Sequence, residues 1–544
     1  MNDMSQFDTL VGSILDDFYA SRPTEARWLG LHQYDGLIGD HSPAGLAKRH
    51  ERLHDQITAL ESFPSDNMTD DEAFDRDLLL SQLQFELFQL AELRERARNP
   101  IVWSDDIDLS GYLLRAYAPI DQRALALKQQ AALIPTVLAN ARAVLDSELS
   151  RPIVETAIEV FKGVAGFLRD DVRPALNEAG TTVSVENEIA EALTAVDHFI
   201  EMLEERLDQA NAEFAIGPDL LRKLVRYGEL VDIDLDDLLD VGERDLERNL
   251  ALARETAAMI DPSRSVAEVV LAEGRDHPPA DQLIQEVSAV LENLRQFILD
   301  HDIVSIPSTA RCIVRETPNF LRWASAMMDT AGAYEDESVE SYYFVTPPEP
   351  EWDAERTEEW LTNFERSGLA GLSIHEAYPG HFVHFQHVRN VASPVRRMVL
   401  SYSFVEGWAH YVEEMMLEEG FGNGDQRHRL SQLKGALLRN CRLVASIRMH
   451  AHGMTVDEAT EFFMKNGFLE EAPARSEAVR GTFDPGYLNY TFGLLMMRKL
   501  RADVQAQEGD RFSLRDFHDR MLALGAPPFA LARRVLTPGN LTVI

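Results

Sequence analysis

Cysteine is nearly missing from this sequence, positive charge is scarce, and no long apolar run occurs. The two cysteines, Cys312 and Cys441, form neither a closely spaced metal-binding pair nor a disulfide framework. Two buried thiols in a reducing compartment are the expectation. Lysine and arginine number 52 against 91 aspartates and glutamates, a formal net charge of -39. That balance repels phosphate, so a nucleic-acid backbone is excluded as a partner and an anionic membrane surface is disfavoured. No stretch is apolar for long enough to span a bilayer. Met1 to Leu15 carries Asp3 and Asp8 but no basic n-region, so no signal peptide is read there and the cytoplasm is the expected location.

What is present is helix. The 544 residues exceed what one compact core usually holds, and hydrophobic residues at 45% give ample surface to bury, so two lobes or a large multi-layer body are expected. Asp70 to Arg98, Gln122 to Leu149, Ile153 to Leu176, Ser184 to Gln209 and Asp236 to Ile260 all place apolar residues three and four apart. The pattern changes near residue 300. Ala310 to Val314 and Tyr342 to Thr346 read as short strands, and Pro347-Pro348-Glu349-Pro350 then forces a break. Helical patterning resumes near Ala354 and runs to about Leu536. The chain is therefore divided into a helical scaffold lobe, 1–300, and a lobe carrying the chemistry, 301–544, packed as one unit.

Ser373-Ile-His-Glu-Ala-Tyr-Pro-Gly-His-Phe-Val-His-Phe-Gln-His387 holds His375, His381, His384 and His387, four of the sixteen histidines. Neutral imidazole is a preferred zinc ligand. A glutamate directly after the first histidine, Glu376, is placed to act on metal-activated water without being a ligand itself. The spacing departs from the usual i, i+4 pair: position i+4 is Pro379, and the next histidine, His381, stands at i+6. On a straight helix those two side chains would point roughly 120° apart. Pro379 removes a helical hydrogen bond and Gly380 relaxes the backbone, so a kink there would swing His381 back towards His375. The pairs His381/His384 and His384/His387, both at i, i+3, stay open as in-register alternatives.

A third ligand is sought in the helical run Phe404-Val-Glu-Gly-Trp-Ala-His-Tyr-Val-Glu-Glu414. Glu406 sits among apolar neighbours, where a carboxylate is costly to bury unless it meets a cation. His410 shares its face at i+4, and Glu413, two turns on, is placed to hydrogen-bond a ligand.

These segments resemble the bacterial "domain of unknown function 885" family. The matching motifs are His375-Glu-Ala-Tyr-Pro-Gly-His381, Glu406-Gly-Trp-Ala-x-Tyr411-x-Glu413 and Asp484-Pro-Gly-Tyr-Leu-Asn-Tyr490-Thr-Phe-Gly493. The opening Pro23-Thr-Glu-Ala-Arg-Trp-Leu-Gly30, followed by Tyr34-Asp35, matches as well. Such proteins look like distant relatives of helical metallopeptidases of the angiotensin-converting enzyme, thimet oligopeptidase and Taq carboxypeptidase types. The resemblance implies a mainly α fold, a large multi-helix zincin-like body with a small β element beside the active-site cleft. It implies His375, His381 and Glu406 as zinc ligands and Glu376 as the general base. Tyr490, or its neighbour Tyr487, is the implied donor to the oxyanion. Many members carry a second histidine directly after the one matching His381, and here that position is Phe382.

The strand Ser341-Tyr-Tyr-Phe-Val-Thr346 would lie along the cleft and offer its free edge to a peptide main chain, with Tyr343 as a candidate substrate contact. Arg480 would meet a substrate carboxylate. The expected function is a zinc-dependent hydrolase cleaving amide bonds of short or unstructured peptides. A metal-dependent hydrolase of a specialised small-molecule amide, ester or lactam, and a non-catalytic binding protein on the same scaffold, are the alternatives.

Overall fold

A computed structural model describes residues 5–64, 68–322, 324–540 and 542–544. It is mainly helical with one small sheet. The chain divides into two compact units: Met1–Ile216 with Ala331–Val339, and Gly217–Thr330 with Glu340–Ile544. The division near residue 300 expected from composition therefore falls elsewhere, because Leu235–Ile260 packs on Gln426–Ala451 and Leu283–Asp300 packs on the first strand and on Arg366–Glu376.

In the first unit the core runs through Ile120–Ala131, Ile134–Val144, Arg151–Gly166 and Glu186–Leu207. The last of these buries Ile189, Ala192, Val196, Phe199, Ile200 and Leu203, the three-and-four spacing of one helical face. The single helix expected over Gln122 to Leu149 is two. Pro135 has no N–H to continue the ladder and starts the second helix instead. Asp70–Phe88 begins with a capping box between Thr69 and Glu72 and ends short of the expected Arg98, in a π turn closed by Arg94 at φ 52.

The opening motif is structural. Buried Arg27 donates to the Tyr112 hydroxyl at 2.9 Å and to the Asp108 carbonyl at 3.0 Å. Gly30, at φ +90, passes so close to the 331–339 segment that a Cβ there would sit 2.6 Å from the Glu335 nitrogen. Tyr334 N–H donates to the Leu29 carbonyl at 2.7 Å, and His32 Nε2 lies 3.1 Å from Glu335.

The second unit holds a three-stranded sheet of β1 (Cys312–Glu316), β2 (Ala326–Asp329) and β3 (Ser341–Val345), in the order β1-β3-β2. β3 pairs parallel with β1 and antiparallel with β2, and Tyr343 stands opposite Val314 on one side and Met328 on the other. β2 was not foreseen, since Ala-Met-Met-Asp carries no β-branched or aromatic signal. Its presence corrects the expectation of a free edge on β3: both edges of that strand are already paired.

Two helix contacts set the rest of this unit. Leu235–Ile260 and Gln426–Ala451 approach at Gly242, where a Cβ would meet Leu443, and are tied by three buried polar side chains. Asn249 donates to Asn440 Oδ1 at 2.7 Å, and Asn440 donates to Asp245 Oδ2 at 2.9 Å. Tyr402–Glu418 and Asn489–Glu508 cross at Gly407 and Gly493 with their backbones touching. A Cβ on Gly493 would fall 2.0 Å from the Ser403 carbonyl oxygen, and one on Gly407 would fall 2.5 Å from the Gly493 carbonyl carbon. No side chain at either site can yield, because the obstruction is backbone.

Among the described residues no helix is long and apolar enough to cross a membrane. Gly493→Ala is expected to push the two helices apart and lower stability by about 1–3 kcal/mol, the usual range for overpacking. Urea unfolding measures this, and a midpoint equal to wild type would contradict the backbone contact.

Candidate metal centre

The helix Arg366–Glu376 buries Leu369, Ala370, Ser373, Ile374 and His375, and it stops at Glu376. A second helix starts at His381. Between them the backbone leaves helical geometry, with a cis bond at Tyr378-Pro379. The Gly380 N–H donates to the Ile374 carbonyl at 2.9 Å, closing a turn two residues wider than a helical one. The chain thus does more than kink, and the wide turn returns His381 to the side of His375. Gly380 runs so close beneath His375 that a Cβ would stand 1.7 Å from that residue's carbonyl oxygen. The fully buried Trp408 holds the turn from the neighbouring helix, its Nε1–H donating to the Pro379 carbonyl at 3.0 Å.

The two imidazole rings meet edge to face with centroids 4.9 Å apart. Glu406 enters from Tyr402–Glu418, its Oε2 lying 3.5 Å from His375 Nε2 and 3.7 Å from His381 Nε2. One ligand atom from each residue lies within 4.8 Å of the others. Burial pushes the Glu406 carboxyl up, but the imidazoles of His381 and His375 and the Arg439 charge outweigh it and hold the group down at about 2. The chemistry of the donor set fits zinc: two imidazole nitrogens and one carboxylate oxygen converge, which leaves a fourth position for water or substrate. A second observation supports the fit. Glu406 Oε2 is buried with no hydrogen-bond partner among the described residues, and so is His381 Nδ1. An uncompensated buried carboxylate oxygen is costly, and a cation removes that cost.

Behind His375 stands Glu413, on the same helix as Glu406. Its Oε1 lies 2.7 Å from His375 Nδ1. Burial raises the Glu413 carboxyl, yet the Arg439 charge and the hydrogen bond from His375 outweigh burial and keep it well below the ordinary carboxylate range. Burial, and then Arg439, lower His375, but the neighbouring Glu406 and Glu413 carboxylates outweigh them and lift it to about 9. His410 is fully buried beside this pair, its Nδ1 3.7 Å from Glu413 Oε2 and neither ring nitrogen hydrogen-bonded among the described residues. Burial, then Arg439, lower it to about 4, so it is neutral.

The other candidate histidines are engaged elsewhere. His384 is fully buried with Nε2 3.2 Å from the Gly525 carbonyl, and His387 turns Nε2 to the Ser305 carbonyl at 2.8 Å. The in-register pairs His381/His384 and His384/His387 are therefore not brought together on one centre. Glu376 is half-buried at the end of its helix, and its charge is felt by His381, Tyr343 and Cys312. Tyr343 is buried whole on β3, its phenol raised well above normal by burial and by Glu376. It lies behind Glu376 rather than lining an open strand edge, which corrects its expected contact with substrate.

Tyr487 is also fully buried, its hydroxyl 4.0 Å from Met449 Sδ and pressed against Gly481. That removes it as an oxyanion donor. Tyr490 is half-buried, edge to face with Tyr402 at 5.6 Å, with the Arg442 guanidinium 4.9 Å from its ring. Arg480 is paired with Asp484 at 2.9 Å and donates to the Tyr402 hydroxyl at 3.2 Å, so its guanidinium is occupied within the protein rather than presented to a substrate.

Residues 23–536 match the family described as bacterial protein of unknown function (DUF885). The chain belongs to this family. No curated protein matches it. Two solved structures share the family member's fold. One is described as a "putative lipoprotein of unknown function" from Shewanella oneidensis, 23% identical, covering 98% of this chain and 100% of that one with a TM-score of 0.82. The other, a "putative lipoprotein" from Colwellia psychrerythraea, is 17% identical, covers 98% and 99%, and has a TM-score of 0.83.

One residue beside the candidate centre escaped the sequence. Arg439 reaches Glu413 and His375 from Gln426–Ala451, a helix with no local motif. Its only signal is a cation at a position flanked by the buried Leu437, Asn440 and Cys441. Metal analysis of purified protein is expected to give about one zinc per chain. His381→Ala should lose it, while His384→Ala should keep it and lose stability. Retention by the first or loss by the second would overturn the ligand set.

Proposed function

We propose that this protein is a zinc-dependent hydrolase that cleaves amide bonds in short or unstructured peptides. The observation that carries the reading is the convergence of His375 Nε2, His381 Nε2 and the partnerless Glu406 Oε2, with Glu376 following His375 directly. Helical metallopeptidases of the zincin type use the same division of labour, with two histidines and a downstream glutamate for the metal and a separate glutamate for the proton.

A zinc ion held by these three residues would supply Lewis acidity, making a nearby water acidic and a carbonyl electrophilic. The protein's own groups supply the rest. Glu376 takes a proton from the attacking water and passes it to the leaving nitrogen. The buried Tyr343 and Cys312 on the neighbouring strands help to keep bulk water from one side of that carboxylate. The Tyr490 phenol donates to the oxygen on which negative charge develops.

Glu376→Gln is expected to keep wild-type zinc content and to lose turnover by roughly 10²–10⁴-fold, the usual contribution of a general base. Cleavage of a peptide library read by mass spectrometry tests the substrate class. Undiminished activity in Glu376→Gln would refute the assignment of the base. An untouched library together with hydrolysis of small amides, esters or lactams would favour the small-molecule reading.

A further inference from the structure

Arg439 is 14% exposed and projects from Gln426–Ala451 into the back of the metal centre. Its Nη2 lies 3.0 Å from Glu413 Oε1 and 3.1 Å from His375 Nδ1, and its Nη1 lies 3.4 Å from Glu413 Oε2. A guanidinium only donates, and Glu413 as a carboxylate only accepts. His375 Nδ1, 2.7 Å from the same Oε1, must then carry the proton it shares with that oxygen. Nη2 accordingly gives its hydrogen to Oε1, and its closeness to Nδ1 is a packing contact. The helix leaves room for this pose: a Cβ at Gly435, one turn earlier, would stand 3.0 Å from Arg439 Nη1 and 3.6 Å from Glu413 Oε2.

We propose that Arg439 is a positioning residue for the metal centre, fastening Glu413 so that His375 keeps its proton on Nδ1 and turns its Nε2 lone pair towards Glu406 and His381. The inference rests on the functional reading above, since it requires His375 to take a metal. It also fixes a sign. A cation this close to a dication repels it. An arginine acting only as a nearby charge would therefore weaken metal binding, and its removal would tighten it. An arginine acting through Glu413 does the opposite: its loss frees the carboxylate and unsettles the ligand, as loss of groups behind a zinc-bound histidine does elsewhere.

The test uses full-length protein stripped of metal with a chelator and then titrated with cobalt(II) and, in competition with a chromogenic chelator, with zinc. Arg439→Met is expected to weaken zinc binding by roughly 10–100-fold and to shift the visible cobalt bands, and to lower the metal-free unfolding temperature as well, since the buried Glu413 carboxylate loses a partner. Arg439→Lys keeps the charge but cannot span both oxygens, and should fall between Met and wild type. In a Glu413→Gln background, Arg439→Met should cost little more, because the two act as one unit. Tighter or unchanged zinc binding in Arg439→Met, or full additivity with Glu413→Gln, would overturn the proposal. If Arg439→Met does not fold, Arg439→Lys alone and with Glu413→Gln makes the same comparison. Wild-type protein that takes no cobalt would sink the metal reading and this inference together. Wild-type binding with Arg439 variants unaltered would sink this inference alone.

Discussion

Everything at the candidate metal centre depends on a helix being stopped. With His375 and His381 six residues apart, a continuous helix would direct their rings to different sides. The chain ends one helix at Glu376, makes a wide turn and begins another at His381. Gly380 is the hinge of that turn for a steric reason, since His375's own carbonyl fills the space where any side chain would stand. Trp408 pins the far side. The two motifs thus do one job between them: the first supplies the histidines and the break, and the second supplies Glu406 and the indole that holds the break in shape.

The site is also an exercise in burying charge. Glu406 and Glu413 lie two turns apart on one helix, both nearly enclosed, and each would be costly alone. They are separated by role. Glu413 is satisfied from within, by His375 and Arg439, whereas Glu406 is left with an oxygen that no hydrogen bond from the described residues meets. That asymmetry sets the two carboxylates apart, and composition alone does not reveal it.

Much of this was legible in the sequence because it was local. The helices with strong three-and-four periodicity, the break at Pro379-Gly380, and the segment carrying Glu406 could each be read from neighbours along the chain. What could not be read depended on distant pairing. β2 has no β signal of its own and exists because β3 offers it an edge. Tyr487 and Tyr490, three residues apart on one motif, could not be ranked until packing sent one hydroxyl to Met449 and left the other ring among arginines. Arg439 had no motif at all, since its partners are 26 and 64 residues away.

The buried cluster of Asn440, Asp245 and Asn249 has a consequence for that arginine. Apolar side chains tolerate small rotations of a helix about its axis, because one methyl group replaces another with little loss. Two directional hydrogen bonds on Asn440 do not. Arg439 is the adjacent residue, and a helix turns about 100° for each residue. A few degrees of roll would carry the guanidinium along an arc away from both carboxylate oxygens. The carboxamide therefore serves as an indexing pin, set in a contact that touches none of His375, His381 and Glu406, and the angular precision of the site is machined there.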